Sequence, residues 1–152
     1  MHENAGNIGF RLDFYQTLFS KLDVNIVTFA YRGYSDSEGH PTEEGIKLDA
    51  AAMVRYIESE PLINPDKVFL YGRSLGGAVA IHAINEHPHA FRGLIVENTF
   101  TSMGDMVDKI FFFVRHLKWL ILRNHWRSAD LIGKVTHPIF FIAGNQDELV
   151  PP

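Results

Sequence analysis

Val68-Phe69-Leu70-Tyr71-Gly72-Arg73-Ser74-Leu75-Gly76-Gly77 is the stretch that decides how this chain folds. An apolar run leads into G-x-S-x-G, and a helix of small residues follows. Such a stretch builds a nucleophile elbow, a strand-to-helix turn tight enough to leave one serine exposed at its apex. Gly72 and Gly76 stand where side chains would collide as the strand and helix backbones close on each other. Ser74 is then expected at the start of a helix, where the dipole and free N–H groups favour developing negative charge. Gly77, Ala78 and Ala80 let that helix pack closely on its neighbours. The pentapeptide pattern fixes few positions and is weak alone; the strand and helix signals around it give it weight. A phosphate-binding loop fits less well, because no G-x-x-x-x-G-K-[ST] is present and no lysine follows the glycines.

Outward from this turn the chain alternates between strand and helix patterns. Phe10, Phe14, Leu18 and Leu22 recur at helical spacing and predict a helix over residues 8–21. The β-branched and aromatic run at 24–31 predicts a largely buried strand. A turn-rich loop at 32–39 precedes a helix over 42–58, whose first turn carries Glu43 and Glu44. Asn64-Pro65-Asp66-Lys67 reads as a turn, 68–71 as a strand, and the helix after Ser74 runs to about His87, where Pro88 helps end it. Residues 93–97 and 138–144 read as two more strands, and 101–135 as a mainly helical, lid-like or cap-like insertion. Strand–helix alternation with apolar strands implies an α/β fold: a three-layer α/β/α sandwich on a mostly parallel sheet. In such sheets the chemistry collects beyond the C-terminal strand ends, where Ser74, Glu97 and Asp147 all fall.

The chain has 152 residues, enough for one domain or part of one. Apolar residues at 46% and charged residues at 21% describe a soluble globular protein. A net charge of −4 gives no reason to expect nucleic acid as a partner. With no cysteine, a disulfide, a thiolate nucleophile and a zinc–sulfur site are excluded. No EF-hand or H-E-x-x-H pattern appears, so neither a metal nor a cofactor is expected. The N-terminus lacks a basic segment followed by an apolar run, so no secretory signal is expected. The most hydrophobic window, 110–122, is interrupted by Arg115, His116 and Lys118 and is too short to span a bilayer.

A serine hydroxyl is a poor nucleophile until a base removes its proton, usually a histidine oriented by a carboxylate. On an elbow scaffold the chain order is Ser, then Asp or Glu, then His. Asp147, just after the last predicted strand, fits the acid; a loop-capping aspartate is its structural alternative. Glu97 competes as the alternative acid, or else is a buried carboxylate accepting backbone or arginine hydrogen bonds. Glu148 reads as solvated. His2, His40, His82, His87, His89, His116, His125 and His137 all precede Asp147. His82 reads as a packed helix residue, and His87 and His89 as satisfying a helix end. His116 and His125 lie in the insertion, within reach of a cleft. The simplest inference places the catalytic histidine beyond Pro152. The oxyanion hole needs two N–H donors. Leu75 supplies one by its position after the nucleophile, and Asn4 near the N-terminus is the candidate for the second. Met103, Met106, Val107, Ile110 and further apolar residues to 122 form a helical stripe. It reads as core or lid packing on the sheet, or, beside Arg115, Lys118 and Arg123, as an acyl-chain groove or membrane-facing surface.

Several motifs in order, Asn4-Ala5-Gly6-Asn7-Ile8-Gly9, Tyr31-Arg32-Gly33-Tyr34, Ser37-Glu38-Gly39, Gly72-Arg73-Ser74-Leu75-Gly76-Gly77-Ala78, Val96-Glu97-Asn98-Thr99-Phe100 and Asp147-Glu148-Leu149-Val150-Pro151, carry a resemblance over nearly the whole length. The chain resembles the α/β-hydrolase superfamily, and within it the bud-emergence-related, serine aminopeptidase-like proteins. The resemblance implies Ser74 as nucleophile, Asp147 as triad acid and, from the family's H-G-N-A-G-N loop, Asn4 as second oxyanion donor. Glu3 departs from the glycine of that loop. The family's histidine sits in a G-x-H-like loop beyond the acid, so the domain is expected to be incomplete at both ends. Membrane association is implied by the same likeness. The expected activity is a serine hydrolase that cleaves an ester or thioester of a small-molecule or acyl-chain substrate, such as an acyl-protein or lipid, with this 152-residue form nearly inactive. The alternative is a non-catalytic, shortened form that binds a membrane or protein through residues 103–122.

Overall fold

Three parallel strands form the centre of the computed structural model, which describes residues 1–110 and 124–145. Strand β1 (Phe69–Arg73) pairs with β2 (Gly93–Glu97) in the register Phe69↔Gly93 to Arg73↔Glu97. Strand β3 (Ile139–Ile142) pairs with the other edge of β2, Leu94↔Ile139 to Glu97↔Ile142. Parallel neighbours need crossovers. Helix α3 (Leu75–Glu86) supplies the first, and the excursion carrying α4 (Met103–Ile110) and α5 (Ser128–Ile132) the second.

Side-chain alternation sorts the two faces of the sheet. Leu70 and Gly72 of β1, with Leu94 and Val96 of β2, are buried towards α3. Helix α3 buries nine of its twelve residues, which makes it the central helix rather than a surface one. Helix α2 (Glu43–Ser59) lies beside it, presenting Ile46, Ala50 and Val54 at helical spacing. Its start is fixed by Thr42, whose side chain accepts from the Gly45 N–H at 3.1 Å. On the opposite face α1 (Leu12–Leu22) meets the sheet through Phe14, whose ring lies 5.7 Å from that of Tyr71. This is the layered α/β arrangement the sequence predicts, with helices on both faces of a parallel sheet.

The strand predicted at 24–31 is a correction. Among the described residues this segment belongs to no ladder. A strand exists only where a neighbour accepts and donates its backbone hydrogen bonds. Between this segment and β1 runs the short stretch at Met1 and His2, which itself belongs to no strand. The Met1 amine donates to Tyr71 O at 2.8 Å, and the Tyr31 N–H to His2 Nε2 at 3.3 Å. Side chains therefore hold the segment: Tyr31 is fully buried, whereas Val24 and Val27 are 41% and 46% exposed.

The excursion between β2 and β3 is tied at both ends. The Met103 N–H donates to His125 O at 2.9 Å, and the Ala129 N–H to Thr101 O at 3.0 Å. Glu43 of α2 accepts from the backbone N–H groups of His125 and Trp126 at 2.5 and 3.1 Å. Most of the 103–122 stripe, His116, Asp147 and Glu148 lie outside the described residues. No helix among the described residues is long and apolar enough to cross a membrane.

Candidate active site

Ser74 sits between β1 and α3 with φ 52° and ψ −120°, a conformation that L-residues rarely adopt. Such a backbone costs of order 1–3 kcal/mol and persists only where its surroundings over-determine it. Here they do. The Ser74 N–H donates to Glu97 O at 2.9 Å, extending the β1–β2 ladder by one bond. Its carbonyl accepts from the Gly77 N–H at 2.9 Å and from the Thr99 hydroxyl at 2.9 Å. A Cβ on Gly72 would overlap Gly76 O, and one on Gly76 would overlap the backbone of Met1 and His2. Both glycines of the elbow are therefore demanded by close backbone approach, Gly72 to the helix as the sequence predicts and Gly76 to the chain's first residues instead.

Leu75 opens α3, so its N–H is one of the helix's unpaired first-turn donors. Because Gly76 touches Met1 and His2, the chain's first residues pass over this same helix N-terminus. Asn4 follows on that segment, exposed, its Oδ1 accepting from the Tyr34 hydroxyl at 2.5 Å. The structure thus gathers Ser74, Leu75, Met1 and His2 at the C-terminal end of β1 and sets Asn4 against Tyr34. Glu97 is nearby through its backbone, but its carboxylate is engaged: the Tyr71 hydroxyl donates to it, and Arg73 Nε lies 3.6 Å away. Burial and then this carboxylate push the Tyr71 hydroxyl well above its ordinary range. Asp147 lies outside the described residues. The loop leading to it is clamped by Asn98, whose N–H donates to Ile142 O at 2.9 Å and whose side chain accepts from the Gly144 N–H at 2.8 Å.

His2 is buried and stacked on Tyr31 at 4.0 Å, with Nδ1 2.8 Å from Glu3 O and Nε2 accepting from Tyr31. Both ring nitrogens are occupied, and burial above all holds its pKa below the ordinary value. His82 is half-buried between α2 and α3, lowered first by burial and then by Lys47. His89 pairs with Glu58 at 2.8 Å. Among the described residues no imidazole hydrogen-bonds to Ser74. Nor does any group of His, Asp and Glu among them form a metal site. A cavity of about 490 Å³ lined by Phe29, Arg32, Asp49 and Tyr56 takes in no residue of the elbow.

Three residues named in the sequence reading were given no role there that the structure shows: His2, Tyr34 and Thr99. The Val96-Glu97-Asn98-Thr99-Phe100 motif was the available signal for Thr99. Register Arg73↔Glu97 brings the residues after β2 alongside Ser74, and only a known pairing reveals that.

A strand, a strained serine turn and a central helix on a parallel sheet define the α/β-hydrolase fold. The solved α/β hydrolase from Vibrio vulnificus shares it, with a TM-score of 0.84 over 98% of this chain and 56% of that one, at 18% identity. The sequence pattern of the prolyl oligopeptidase family matches residues 13–152, and the chain belongs to that family. Protein bem46 of Schizosaccharomyces pombe is 38% identical over 152 residues, covering 99% of this chain and 51% of that protein. The lysophosphatidylserine lipase ABHD12 of Danio rerio is 28% identical over 170 residues, covering 99% of this chain and 43% of that protein. The chain thus spans about half the length of the curated relatives it matches.

Proposed function

We propose that this chain carries the nucleophile and oxyanion site of a serine hydrolase that cleaves an ester or thioester through an acyl-enzyme on Ser74. The observation that carries this reading is the positive φ of Ser74 at a strand-to-helix junction, with Gly72 and Gly76 making room for it. Ser74 Oγ attacks the acyl carbon while its proton passes to an imidazole. The carbonyl oxygen takes the negative charge beneath the N–H groups of Leu75 and Asn4. Collapse expels the alcohol or thiol, which takes the proton back, and water then releases the acid and restores Ser74. Asp147 orients the imidazole in this scheme. Glu97 serves it less well, because Tyr71 and Arg73 already engage its carboxylate. The imidazole is assigned to chain beyond Pro152, so the 152-residue form keeps only the roughly 10³–10⁴-fold catalysis over water that remains without a triad base. A lipid substrate is supported by the lysophosphatidylserine lipase among the relatives.

A fluorophosphonate probe tests this. Full-length protein is expected to be labelled at Ser74, and Ser74→Ala to drop to background. Labelling elsewhere, or none in the wild type, overturns the proposal. Equal labelling of the 152-residue form overturns the assignment of the base beyond Pro152.

A further inference from the structure

We propose that Thr99 is a positioning residue that aims the Leu75 N–H into the site by holding the Ser74 carbonyl. The inference rests on the serine-hydrolase reading above and adds a residue to it. A peptide group is planar and trans, so the Ser74 carbonyl and the Leu75 N–H point in opposite directions from one rigid plate. Whatever fixes the oxygen fixes the aim of the hydrogen. Two donors hold that oxygen, the Gly77 N–H and the Thr99 hydroxyl, each at 2.9 Å. The Gly77 bond closes a tight turn within the start of α3 and moves with that helix. Thr99 lies in the loop just after β2, so its bond ties the plate to the end of that strand. The ladder bond from the Ser74 N–H to Glu97 O anchors the other side of the same residue, two positions earlier in the chain.

The seat of Thr99 is built for one side chain. A Cβ on Gly77 would collide with both Thr99 Oγ1 and Thr99 Cβ, so the threonine lies flat on the glycine and its hydroxyl has little freedom to turn away. The preceding Asn98 has φ 43° and is clamped to Ile142 and Gly144, which fixes the approach of Thr99 from β2. Positive φ at both Ser74 and Asn98 places two sparsely populated backbone conformations side by side, joined through the Thr99 hydroxyl.

The test uses full-length protein, a p-nitrophenyl ester and the fluorophosphonate probe. Thr99→Val keeps the shape and removes the hydroxyl. Loss of a whole oxyanion donor costs about 10²–10³ in kcat, so a mis-aimed donor is expected to cost about tenfold, with KM within about twofold. Thr99→Ser restores the hydroxyl and is expected to recover most of that loss. Unchanged kcat in Thr99→Val, a loss confined to KM, or a Thr99→Ser no better than Thr99→Val overturns the proposal. If Thr99→Val does not fold, Thr99→Ala takes its place with the same expectations. If the wild type neither turns over nor labels, the serine-hydrolase reading falls instead. The positioning is then read from the Leu75 amide resonance: a shift in Thr99→Val but not in Thr99→Ser supports it, and no shift in either overturns it.

Discussion

Helices α1 and α3 have 11 and 12 residues and lie on opposite faces of one sheet, yet α3 buries nine residues and α1 none. Both were legible as helices. Periodicity in α1 is clear, with Phe14 and Leu18 on one stripe, yet Phe19 and Leu22 stay 57% and 63% exposed. In α3 Gly76 admits the backbone of Met1 and His2, Gly77 admits the Thr99 side chain, and Gly72 of β1 lies against the Gly76 carbonyl, so closely that no side chain fits between. An apolar pattern reports which face a helix offers; burial also needs a surface to receive it. Residues 24–31 repeat the lesson for strands, because a β-rich composition without a hydrogen-bonded neighbour leaves an unpaired segment.

The contrast can be broken most decisively at Leu94, 1% exposed on the α3 side of β2. Leu94→Ala is expected to cost about 3 kcal/mol by urea unfolding, within the range for leucine truncation in a core. A cost below about 1 kcal/mol contradicts the placement of the core beneath α3. A smaller effect sharpens the comparison through pH. Burial holds His2 and His82 below the ordinary value of 6.5 in the folded state, so the unfolded chain binds the extra protons. Stability is therefore complete above the unfolded pKa and declines as pH falls through about 6.5 and below. Urea midpoints between about pH 8 and pH 5 read this slope. His2→Gln and His82→Gln are each expected to flatten it in part, and an unchanged slope in both argues against burial as its source. The smallest effect is expected at Leu22, 63% exposed in α1. Leu22→Ala should stay within about 0.5 kcal/mol of wild type. A loss comparable to that of Leu94→Ala means α1 packs more tightly than its exposure indicates.

How much was legible follows from the same physics. Strand β2 and the β1–Ser74–α3 turn could be read because their determinants are local: an apolar run, glycines at fixed offsets, small residues on one helix. The engagement of Glu97 by Tyr71 and Arg73 depends on strand register, and so does the bond from Thr99 to Ser74. Neither is written in any one segment. His2 illustrates the same limit. As a sequence position it is one imidazole among eight, and only the approach of Tyr31 shows that both of its nitrogens are taken.

The excursion between β2 and β3 leaves and returns through fastened backbone contacts, Met103 to His125 and Ala129 to Thr101, with Glu43 gripping the returning strand of chain. With its two roots stapled together, whatever lies between them can be lengthened or exchanged at little thermodynamic expense, since doubling a closed loop adds only about 0.6 kcal/mol of entropy. A scaffold of this kind can accept the rewriting of one replaceable cassette while Ser74 keeps its place between β1 and α3.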